Sequence, residues 1–137
     1  MKKKVLFVCT HNSSRSQMAE GLLQSLAGDR YEAFSAGTEP HGVHPLAVRV
    51  MAEIGIDILN HRSKSVDEFA GHTMDTVVTV CDHAKEACPV FPTGARKIHR
   101  SFEDPSALAE SEDAALAGFR RIRDDIRDWL EKTFSPC

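Results

Sequence analysis

The chain has 137 residues, 42% of them hydrophobic and 27% charged, with a formal net charge of −3. That length suits one compact domain that buries its core without disulfide staples, and residues 1–137 read as a single domain. The weak negative charge excludes a global basic field for nucleic acid or an anionic membrane, and no stretch approaches the ~20 apolar residues of a membrane span.

Lys2, Lys3 and Lys4 precede an apolar run that covers only Val5 to Val8, too short for an export signal. A cytoplasmic, reducing setting is expected, in which the four cysteines act as thiols rather than structural disulfides. Lys4 to Val8 reads as a buried first strand. Ser16 to Leu26 reads as a helix, with Met18, Ala19, Leu22, Leu23 and Leu26 at helical spacing. Tyr31 to Ala36 is a second strand, stopped by Gly37. Pro45 suits the first turn of a helix running to Ile54, with Gly55 at its stop. Ser65-Val66-Asp67-Glu68 fits a capping box that opens a short helix.

Thr76 to Val80 is a further strand. Asp82 to Cys88 can form two helical turns, ended by Pro89. Lys97 to Phe102 is a fourth strand. A final helix from Ser111 to Phe134 buries Leu116, Phe119, Ile122, Ile126 and Leu130. Its Arg120, Arg121 and Arg123, interleaved with Asp124, Asp125 and Asp128, read as a solvated face with i,i+4 pairs. Trp129 and Phe134 read as packing residues. Alternating strands and helices predict an α/β, three-layer α/β/α sandwich around a four-stranded parallel sheet. Sites in such sheets gather at the carboxyl ends of strands, where Cys9, Cys81 and Asp104 fall.

The most informative stretch is Cys9-Thr10-His11-Asn12-Ser13-Ser14-Arg15-Ser16, which leaves a strand and enters a helix. A tight loop there turns successive backbone N–H groups toward one point, and the helix adds its positive dipole end. Thr10, His11, Asn12, Ser13, Ser14, Arg15 and Ser16 therefore form an oxyanion cradle. Arg15 can clamp two oxygens of a tetrahedral anion, and Ser16 can donate its hydroxyl to the Cys9 sulfur. Such surroundings favour an ionised, nucleophilic Cys9. The loop lacks G-x-x-x-x-G-K, so nucleotide binding of the Walker type is not indicated.

Here the chain resembles the low-molecular-weight protein tyrosine phosphatase superfamily, and more closely its thioredoxin-coupled arsenate reductases. The carriers span nearly the whole chain. They include Val8-Cys9-Thr10, Asn12-Ser13, Arg15 to Glu20, Ser35-Ala36-Gly37, His41-Gly42, Gly55-Ile56-Asp57, Val77 to Cys81, Cys88-Pro89 and Asp104-Pro105. The resemblance implies Cys9 as nucleophile, Arg15 as oxyanion ligand and Asn12 as a brace of the loop. It also implies Asp104 as proton donor to a departing oxygen, a role that Pro105 aids by restraining the backbone before it.

A phosphatase needs one cysteine, whereas this chain offers Cys81 at a strand end and Cys88 seven residues on. Seven helical residues rise about 10.5 Å, beyond the ~7 Å that a disulfide tolerates between Cα atoms. Oxidation of the pair would thus require the short helix to unwind. The expected activity is arsenate reduction to arsenite through a Cys9/Cys81/Cys88 thiol–disulfide relay, with thioredoxin as reductant by family resemblance. The terminal Cys137 reads as incidental.

No cofactor is expected, and no metal. A zinc site from Cys81, His83, Cys88 and His99 matches no common closed spacing. The other histidines are scattered and read as surface or packing residues. Some relatives bind potassium through positions matching Asn12, Glu20 and Ser35 and the segment matching Arg62 to Lys64. Here Lys64 can place its ammonium where that ion would sit, which argues against potassium dependence. Position 14 is Ser, where some relatives carry Cys.

Two rivals stand beside the reductase. A phosphotyrosine phosphatase could use the same cradle, but Ser106, Ala107 and Leu108 follow Asp104-Pro105 where an aromatic slot would need rings. Weak action on small phosphate esters is compatible with the cradle. A non-enzymatic redox sensor of oxyanions is the second rival. A monomer is expected.

Overall fold

The computed structural model describes residues 2–69, 71–81, 95–105 and 111–134. The segment from Asp82 to Cys88, with its expected helix, lies outside the described residues, as do Ser106 to Leu108 and Cys137.

Strands β1 (Lys3–Cys9), β2 (Tyr31–Gly37), β3 (Thr76–Thr79) and β4 (Arg96–His99) form one sheet in the order β2-β1-β3-β4. All three pairings are parallel. Central β1 is fully buried from Val5 to Cys9, as its unbroken apolar run requires of a strand covered on both faces. Helix α1 (Arg15–Ala27) returns from β1 to β2. Helices α2 (Pro45–Ala52) and α3 (Glu112–Thr133) pack against it and each other.

Register identifies the two faces of the sheet. Leu6 pairs with Phe34 and Phe7 with Ser35, so Phe7 and Phe34 point to opposite sides. Phe7 meets Phe134 just past α3, while Phe34 meets Phe69 in a 3-10 turn, Val66–Phe69. Phe134 also meets Tyr31 and Trp129, confirming its packing role.

The predicted stripe of α3, Leu116, Phe119, Ile122, Ile126 and Leu130, is buried throughout. Ser111 caps that helix by accepting the Ala114 N–H at 3.1 Å. Four local expectations are corrected. Leu26 is 39% exposed, because at the end of α1 it is the next residue, Ala27, that turns to the core. Helix α2 stops at Ala52, followed by a turn in which Gly55 takes φ +80°. The expected box at Ser65 gives a 3-10 turn in which the Ser65 hydroxyl accepts from Asp67 rather than Glu68. Strand β4 ends at His99, although the Arg100 and Phe102 N–H groups still reach the Thr79 and Val80 carbonyls at 3.0 Å.

Arg123 overturns the reading of a wholly solvated charged face. It is 8% exposed and donates to the Val50 carbonyl and Glu53 at 2.9 Å each. Its guanidinium satisfies the Val50 carbonyl near the end of α2, which α3 would otherwise cover without a partner.

Candidate functional site

The cradle opens where β1 ends. The carbonyls of Thr10, His11 and Ser13 face away from it and accept N–H groups from Glu39, His41 and His44. Among the described residues no protein acceptor meets the N–H groups of residues 10–17, which stay available to an anion at the start of α1. Asn12 makes the turn possible with φ +48°, a region that Asn tolerates better than most residues. Gly37 is needed beside it. A Cβ there would stand 2.7 Å from the Thr10 carbonyl oxygen and 2.8 Å from the Asn12 nitrogen.

Within the loop the hydrogen bonds have a defined direction. The Lys64 backbone N–H donates to Asn12 Oδ1 at 2.8 Å, so the Asn12 amide turns its Nδ2 to Ser16 Oγ, also at 2.8 Å. Ser16 has one hydroxyl proton, which is left for Cys9 Sγ at 2.8 Å. Gln17, fully buried, supports the same amide by donating to Asn12 Oδ1 at 3.0 Å and to the Arg62 carbonyl at 3.0 Å. Gln17 then accepts from His61 Nδ1 at 3.0 Å. Asn12, Ser16 and Gln17 are all matched, and the last donor in this chain points at the sulfur.

Arg15 donates to the Phe102 carbonyl at 3.0 Å and lies 3.8 Å from the Asp104 carboxylate. The predicted anion clamp and the predicted acid are therefore neighbours. Glu103, by contrast, is exposed and turns away to Arg121 at 2.6 Å. Cys81 is 5% exposed and free, as is Cys9 at 2%. Its sulfur lies 3.3 Å from Thr10 Oγ1. Adjacent strands, joined by the Val80 N–H to the Val8 carbonyl at 2.9 Å, bring the two cysteines to one end of the sheet. Cys88, like His83, lies outside the described residues. Ser14 is buried as the N-cap of α1, and the exposed His11 ring meets His41 at a tilt, with centroids 4.2 Å apart.

Lys64 is half-buried behind the cradle. Its Nζ donates to the Arg62 carbonyl at 2.9 Å and lies 3.8 Å from Glu20 Oε1. Burial pushes its pKa below the usual 10.5, with Glu20 pulling it back up. Glu20 in turn accepts from Ser35 at 2.6 Å. Sequence reasoning passed over the bracing by Gln17. Its only signal was a polar residue inside the buried stripe of α1. It also passed over Gly37 as a clearance position and over His44, which joins the cradle to α2. No local pattern marks a contact made across the fold.

A family model described as "Low molecular weight phosphotyrosine protein phosphatase" matches residues 4–135. Arsenate reductase 2 of Staphylococcus epidermidis is 44% identical over 130 residues, covering 95% of each chain. A solved structure described as an arsenate reductase in oxidized state aligns with TM-score 0.81 at 34% identity, over 95% of each chain. The Corynebacterium glutamicum thioredoxin-dependent arsenate reductase aligns with TM-score 0.69 at 30% identity, over 96% of this chain and 61% of that one. With its cradle, parallel sheet and matched length, the chain belongs to the low molecular weight phosphotyrosine protein phosphatase family, alongside relatives that are arsenate reductases.

Proposed function

We propose that this protein reduces arsenate to arsenite and is regenerated by thioredoxin. The observation that carries the reading is the pair of reduced, buried cysteines at the ends of adjacent strands. One is aimed at by Ser16, and the other is held at the same loop by Thr10.

In the first step the Cys9 thiolate attacks arsenic(V) held by the cradle N–H groups and Arg15. A sulfur–arsenic bond forms as an arsenic–oxygen bond breaks, and the arsenate hydroxyl leaves as water after taking a proton from Asp104. Cys81 then attacks Cys9 Sγ. The sulfur–arsenic bond breaks with its electron pair going to arsenic, which leaves as arsenite, and a Cys9–Cys81 disulfide remains. Cys88 attacks Cys81 Sγ, Cys9 departs as thiolate, and the resulting Cys81–Cys88 disulfide is reduced by the dithiol of thioredoxin. The thioredoxin-dependent Corynebacterium glutamicum relative supports that choice of reductant.

The test is arsenate-dependent NADPH oxidation through thioredoxin and its reductase. Wild type turns over repeatedly, Cys9→Ser is inert, and Cys81→Ser stops after one adduct. Cys88→Ser stalls with Cys9 held in disulfide. Repeated turnover by Cys81→Ser overturns the relay. Rapid aryl phosphate hydrolysis without thiol consumption, and no arsenate turnover, would assign a phosphatase instead. Stoichiometric oxidation alone would assign a sensor.

A further inference from the structure

His44 stands outside the cradle but touches the elements that border it. Its backbone N–H donates to the Ser13 carbonyl at 2.9 Å. It is also the N-cap of α2, where its imidazole Nδ1 accepts the Leu46 N–H at 3.1 Å. A backbone N–H only donates, so Nδ1 presents its lone pair and the neutral ring carries its proton on Nε2. The ring lies on Phe119 of α3, with centroids 4.8 Å apart. The segment carrying Asp104 comes down on the same stretch of α3. A Cβ at Gly118 would stand 3.5 Å from the Pro105 carbonyl oxygen, and Arg121 holds Glu103 at 2.6 Å.

We propose that His44 is a positioning residue that keeps the anion cradle and Asp104 aligned only while its imidazole is neutral. The inference rests on the reading of the cradle as the oxyanion site. Charging the ring means adding a proton at Nδ1, which would set one donor against another at Leu46. The cap would be lost, and the positive end of α2 would face a cation. The segment released is the one bonded to Ser13, two residues before Arg15.

Charges around the ring act in opposed directions. Burial holds the His44 pKa below its usual 6.5, and Asp104 pulls it up. Arg15 faces Asp104 from α1 at 3.8 Å. Further along α2 and α3, Arg49 pairs with Glu112, and Glu53 pairs with Arg120 and Arg123. Because the folded value is lowered, the stability of the aligned state is present above pH 6.5 and is lost as pH falls below it toward the lowered value.

The test follows inorganic phosphate binding by NMR between neutral and mildly acidic pH in the wild type, His44→Asn and His44→Ala. Asparagine caps a helix but cannot charge. From neutral to mildly acidic pH, wild-type affinity should fall roughly tenfold more than that of His44→Asn, the scale of one lost cap. The change in phosphate ionisation is common to both and divides out. His44→Ala should bind weakly throughout. Without ligand, the Leu46 amide signal should move with the His44 ring titration. Equal pH profiles for wild type and His44→Asn, a still Leu46 amide, or a ring neutral throughout would each overturn the proposal. Phosphate that perturbs none of residues 10–16 at any pH would instead overturn the cradle reading, leaving the Leu46 test intact.

Discussion

The cradle and the α2–α3 clamp both rely on polar side chains, yet they differ in solvent access. In the cradle, Asn12, Ser16 and Gln17 are fully buried, and nearly every bond is between neutral groups. In the clamp, Glu53 meets Arg120 at 2.7 Å on the surface and Arg123 at 2.9 Å beneath it. Water can replace a lost partner at the surface but not in the cradle. The contrast implies steep costs for deletions around Cys9 and shallow ones at Glu53.

Gly37→Ala should break the comparison most sharply. Its Cβ would collide with backbone on both sides of the cradle turn rather than with a movable side chain. A displacement near 1 Å is enough for roughly a hundredfold loss in kcat/KM, measurable by arsenate turnover. Asn12→Ala should come next. It removes the donor to Ser16 and strands the Lys64 N–H, while Gln17 keeps the Asn12 and Arg62 carbonyls as acceptors. Stability should fall by about 1–3 kcal/mol in denaturant titration, with slower alkylation of Cys9.

Thr10→Val loosens the hold on Cys81. The hydroxyl that meets Cys81 at 3.3 Å is lost while the side-chain volume is kept. One neutral hydrogen bond is worth about 0.5–1.5 kcal/mol, so kcat should drop roughly two- to tenfold, with Thr10→Ser restoring it. The smallest effect is expected of Glu53→Gln. Hydrogen bonds from Arg120, with help from Arg123, hold the Glu53 carboxyl down at about 2 from its usual 4.5. The stabilisation by its charge is present above pH 4.5 and fades as pH falls toward 2. The small Tm difference between wild type and Glu53→Gln should therefore vanish at acid pH. A large difference at neutral pH would show the clamp to be more than a surface contact.

The parallel sheet was legible because β1 is an unbroken apolar run and α3 carries a long 3.6-period stripe. Both signals are local and strong. The turn after Cys9 was legible for a related reason, since it is built from the backbone of consecutive residues between a strand and a helix. Arg123 was misread because Arg120 to Asp128 has the composition of a wet surface, and only the neighbouring α2 shows which arginine lies beneath it.

The sequence by itself determined the α/β class, the strand-to-helix turn at Cys9 and the presence of further thiols. Tertiary structure decided which of these meet. Thr10 reaches Cys81 across 71 positions, Arg15 reaches Phe102 across 87, and the Lys64 N–H fixes the Asn12 amide across 52. Periodicity and propensity act over a few residues, whereas the direction of a hydrogen bond between distant segments exists only once the sheet has brought them together.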